Sequence, residues 1–89
     1  SDLSCVTHEL THIFDYSLAD GYTSYMGVSI RQDFRNYFNE NPMLFREYSS
    51  TDPAEFFADA GDYYVNFPDQ LKEMNMDLFN YMNGLMGLY

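Results

Sequence analysis

The chain has no tryptophan, one cysteine, two histidines and only four basic residues among its 89. Each shortage excludes something. With Cys5 alone, no internal disulfide can form. Cys5 stands three residues before His8, and is expected to be a small buried side chain rather than a stray metal ligand. Four Lys and Arg against fourteen Asp and Glu leave a net charge of -10. A phosphate backbone would be repelled, so nucleic acid is not an expected partner, and neither is an anionic membrane surface. No apolar run is long enough to span a bilayer, and no secretory leader pattern is present in these residues.

What is abundant is apolar and aromatic. A hydrophobic content of 46% and an aromatic content of 19% exclude an ordinary disordered segment. The length fits one small domain whose core can be only modest. Tyr and Phe supply the aromatics, and with six Met they describe an adaptable core or a surface that expects a partner.

Both histidines fall in one hexapeptide, Thr7-His8-Glu9-Leu10-Thr11-His12. The i, i+4 spacing of this HExxH box puts His8 and His12 on one helix face, close enough to hold one metal ion. Glu9 beside them is placed to act as a general base toward a water. Such a centre needs neutral imidazoles, a third protein ligand and an open position. The plainer alternative is two histidines stacked on an amphipathic helix.

Helical periodicity accounts for most of the chain. A first helix is expected from about Leu3 to Leu18, with Leu3, Val6, Leu10, Ile13 and Phe14 on its apolar side and Gly21 past its end. A second runs from about Ser29 to Asn39, where Ile30, Phe34, Tyr37 and Phe38 form a stripe, and Asn41-Pro42 stops it. Met43 to Ser50 reads as an irregular linker with one short turn. Thr51-Asp52-Pro53 is a cap followed by proline at the first helical position, starting a third helix to about Tyr64. Asn66-Phe67-Pro68 repeats that signal for a fourth, Pro68 to Asn83, burying Leu71, Met74, Leu78, Phe79, Met82 and Leu85. Only Tyr22 to Val28 offers a strand pattern, a weak one. The expected class is mainly α, with about four helices in a single domain, residues 1–89.

The third metal ligand is the next question. The extended HExxHxxGxxH box would need glycine at position 15 and histidine at position 18; Asp15 and Leu18 exclude it. Another large class takes a glutamate from a later helix, often with a second carboxylate one turn on. Asp52-Pro53-Ala54-Glu55-Phe56-Phe57-Ala58-Asp59 has that pattern. Glu55 would bind the metal, and Asp59 would accept a hydrogen bond from the far nitrogen of a ligand histidine. Asp52-x-x-Glu55 is equally the spacing of a capping box, in which Glu55 would only tie down the helix start. Tyr48, seven residues before Glu55, is one of nine tyrosines that could supply a donor to a tetrahedral oxyanion.

Val6-Thr7-His8-Glu9-Leu10-Thr11-His12, followed by Tyr48-Ser49-Ser50-Thr51-Asp52-Pro53-Ala54-Glu55-Phe56-Phe57-Ala58-Asp59-Ala60, resembles the catalytic domain of anthrax toxin lethal factor and its relatives, which include secreted bacterial peptidases that cut between prolines. The resemblance runs from His8 to the last helix. It implies a zinc endopeptidase with a zincin-like fold, His8, His12 and Glu55 as Zn2+ ligands, Glu9 as general base, Tyr48 at the oxyanion and Asp59 behind a ligand histidine. There are three departures. Thr11 stands where the family has a small glycine, crowding that turn. Asp59 is one methylene shorter than the glutamate of the lethal factor. In the family a β-sheet precedes the HExxH helix and its edge strand pairs with extended substrate, yet only seven residues precede His8 here.

The expectation is therefore the helical, zinc-binding half of a zincin-like metallopeptidase domain from a secreted parent, with the preceding sheet missing and little activity as an isolated piece. Its partner would be a peptide or protein substrate, and the uncovered face of the first helix would favour self-association. The alternatives are a degenerate homologue or helical fragment that cleaves nothing, and an acidic helical interaction module with no metal.

Overall fold

Helix α3 is the axis of the molecule, in a computed structural model that describes the backbone of residues 2–17 and 32–89 and the side chains of residues 6–13 and 32–89. The described residues form α1 (Asp2–Ser17), α2 (Gln32–Glu40), a 3-10 turn (Tyr48–Thr51), α3 (Pro53–Asn66), α4 (Pro68–Met74) and α5 (Met76–Met86), and no strand. The mainly helical class is as expected. Leu18, the beginning of the second expected helix (residues 29–31) and the weak strand candidate Tyr22 to Val28 lie outside the described residues.

The start of α3 is local chemistry. The Asp52 carboxylate accepts a hydrogen bond from the Ala54 N–H at 2.9 Å, and Pro53 occupies the first helical position, where a missing N–H costs nothing. Beyond that turn the helix is buried around most of its circumference, the pattern of a helix enclosed by others. Phe56, Phe57, Ala58, Ala60 and Tyr64 are completely buried. On one side Phe34 of α2 meets Phe56 and Phe57 edge-on, with ring centroids 5.9 and 5.1 Å apart. Leu71 of α4 and Leu78, Phe79 and Met82 of α5 complete that core.

The fourth expected helix is two. Asn75 interrupts it with extended backbone (φ -163°, ψ 97°). Its own N–H closes α4 on the Leu71 carbonyl at 2.8 Å, and its side chain accepts from the Leu78 N–H at 3.0 Å to open α5. A short amide side chain that competes with the helical backbone favours such a junction over a helix interior. The break lets both Leu71 and Leu78 turn to α3; Met74 and Leu85 are only half-buried.

Helix α1 packs on the opposite side of α3, and the contact is close. Thr11 is buried, and its hydroxyl donates to the Thr7 carbonyl one turn back at 2.7 Å, which fixes its rotamer. It lies directly against Gly61 of α3: a Cβ added there would stand 2.8 Å from the Thr11 Cβ. The bulk expected to crowd the turn before His12 is thus accommodated by a glycine on the facing helix. One turn away, the Asn66 amide donates to the Thr7 hydroxyl at 3.0 Å. Alanine in place of a helical glycine normally gains up to about 1 kcal/mol. Here the overlap outweighs it, and Gly61→Ala should destabilise the fold by about 1–2 kcal/mol net in urea unfolding, as overpacked sites do. In a Thr11→Gly background the same change should become stabilising.

Val6, Leu10 and Ile13 on the outer side of α1 are 53%, 57% and 60% exposed, so the downstream helices cover this helix only in part, as its circumference of apolar residues implied.

Candidate metal centre

The two histidines of α1 face the first two turns of α3. His8 and His12 stack edge-on, 4.9 Å between ring centroids, because four residues return a side chain to nearly the same face. Opposite them stand Glu55 and Asp59, also four apart. The Glu55 carboxylate divides between the rings: Oε1 lies 2.9 Å from His8 Nε2 and Oε2 lies 3.1 Å from His12 Nε2. The other nitrogen of His8, Nδ1, lies 3.0 Å from Asp59 Oδ1. All four side chains are largely shielded, from 8% exposed for Asp59 to 20% for Glu55.

In this arrangement Glu55 does not serve as the helix cap. Asp52 alone caps α3, through Ala54, while Glu55 turns both oxygens to the histidines instead of reaching back to the helix start. Asp59 reaches His8 despite its shorter side chain.

Arg46, in the linker before the 3-10 turn, was not singled out by the sequence. Its Nε and Nη2 donate to Asp59 Oδ2 and Oδ1 at 2.8 and 3.0 Å, a forked pair. Those hydrogen bonds, against the opposing effect of burial, hold the guanidinium above its already high pKa, so it is always cationic. A carboxylate receiving both prongs of a guanidinium is an acceptor only. His8 Nδ1 must then carry the proton of that ring, and Nε2 of a neutral His8 presents a lone pair. That lone pair faces a Glu55 carboxylate oxygen at 2.9 Å. Two acceptors at this distance repel unless a proton or a cation lies between them.

The donor set suits a cation. One atom each from His8, His12 and Glu55 can be chosen so that all lie within 4.8 Å of one another. Ligand atoms around a tetrahedral zinc at its usual bond lengths are about 3.4 Å apart, so the cluster has the right size with small adjustments. Two imidazoles and one carboxylate are a catalytic ligand set, which leaves a fourth position open.

Glu9 is exposed, beside but outside the cluster. Tyr48 opens the 3-10 turn, 63% exposed, with its ring 5.1 Å from the Arg46 guanidinium carbon. Its hydroxyl makes no hydrogen bond to His8, His12 or Glu55 here. Cys5 lies outside the described side chains.

Searches of curated proteins and of solved structures give no significant match. A family model described as anthrax toxin lethal factor, N- and C-terminal domain, matches residues 1–85. A metallopeptidase relationship follows at that level, and with nearly the whole length matched, the chain belongs to the anthrax toxin lethal factor family.

Proposed function

We propose that this chain carries the zinc centre of a secreted endopeptidase. One observation bears most of the weight: Nε2 of both histidines converges on Glu55 while Asp59 already occupies Nδ1 of His8. His8, His12 and Glu55 would hold the ion. Zinc held there would supply a Lewis acid for the scissile carbonyl and would lower the pKa of a water. Glu9 would be the general base that takes a proton from water and passes it to the leaving amine. The Tyr48 hydroxyl donates to the oxyanion, and Asp59 keeps His8 in the tautomer that binds through Nε2. Membership of a toxin family supports an exported protein, and no helix among the described residues is long and apolar enough to cross a membrane.

The same three side chains also admit a metal-free reading, in which protonated histidines staple α1 to α3 through Glu55. Metal analysis after purification without chelator separates the two. One zinc per chain that is lost in His8→Ala supports the proposal, as does chelator-sensitive cleavage of peptides. A chain that takes up no zinc overturns it.

A further inference from the structure

We infer that Arg46 is a positioning residue of this centre, acting on His8 through Asp59; the inference rests on the zinc reading above. Three contacts carry it. The guanidinium grips both Asp59 oxygens, at 2.8 and 3.0 Å. Asp59 Oδ1, one of those two oxygens, is also the partner of His8 Nδ1 at 3.0 Å. The outer side of Arg46 lies against the Tyr48 ring, 5.1 Å to its centroid. A single planar cation therefore sets the plane of the carboxylate that orients one ligand ring, and supports the aromatic ring of the residue placed at the oxyanion.

Without the fork, the Asp59 carboxylate has the single hydrogen bond to His8 to define its rotation, and the ring loses the fixed partner that aims Nε2 at Glu55. An ordinary structural ion pair would contribute little at a side chain that is half exposed, and would not alter metal affinity. Charge alone predicts the opposite sign: removing a cation from beside a dication strengthens binding. Arginine is required because lysine presents one point charge and cannot match both carboxylate oxygens in a plane.

The experiment is zinc affinity of the whole chain, by competition with a chromophoric chelator, with folding checked by circular dichroism. Arg46→Ala should weaken zinc about tenfold, the scale seen when partners behind metal ligands are removed. Arg46→Lys, which keeps the charge and loses the fork, should fall between the two and also covers the case in which the alanine variant fails to fold. In an Asp59→Ala background, Arg46→Ala should change affinity by no more than about twofold, since its route to His8 is already gone. Unchanged or tighter binding in both Arg46 variants overturns the inference while leaving the zinc reading intact, as does a full tenfold loss in the Asp59→Ala background. Absence of zinc binding by the unaltered chain overturns both.

Discussion

Glu55→Ala should abolish stoichiometric zinc binding while leaving the helical fold in place. Among the described residues, Glu55 is the one that approaches both His8 Nε2 and His12 Nε2. Its loss removes the carboxylate that the two Nε2 atoms share, leaving too few ligands for a stable tetrahedral centre. The helix should survive, because Asp52 and Pro53 hold its start without help from Glu55. Removing one acidic residue from the first turn costs about 0.3–1 kcal/mol through the helix dipole. Asp59→Ala is the instructive comparison. It leaves all three ligands and should weaken zinc about 10- to 100-fold. Glu55→Ala should exceed that upper bound of about 100-fold in chelator competition. Equal effects at the two positions, or wild-type affinity in Glu55→Ala, would take Glu55 out of the ligand set.

How far each feature could be read from the chain follows from the range of the forces behind it. The HExxH helix and the Asp52-Pro53 start of α3 depend on residues within one or two turns, so spacing alone places them. Glu55 shows the limit of such local patterns. Its distance from Asp52 fits a cap and its distance from Asp59 fits a ligand pair, and only the approach of α1 shows that its oxygens face the histidines. The Thr11–Gly61 contact was half visible: the bulk at Thr11 stood out, but its relief lies fifty residues away on another helix. Asn75 carried a cap-forming side chain, yet the apolar stripe from Leu71 to Met82 runs through it and reads as one helix. Arg46 gave the least warning. It reaches Asp59 across a linker without regular periodicity, and its one distinguishing mark is that it is among four basic residues in an acidic chain.

Glu9→Gln should retain zinc and lose turnover by about 10²- to 10⁴-fold, the usual contribution of a general base. The separation of the two effects follows from where Glu9 stands. It is next to His8 in sequence but exposed, while Glu55 and Asp59 are the carboxylates seen against the histidines among the described residues. A side chain outside the ligand set can be changed without disturbing the ions that the set would hold. Glutamine keeps the size and the polarity of glutamate and removes only the capacity to accept a proton. Affinity measured by chelator competition should therefore match that of the unaltered chain, while single-turnover cleavage of a peptide by the zinc-loaded protein slows. Because only the transition state is affected, kcat should fall with little change in KM. An active Glu9→Gln variant would remove Glu9 from the reaction and assign the proton transfer to another group. Loss of zinc together with activity would place Glu9 in the ligand set, against the geometry in which Glu55 bridges the two rings.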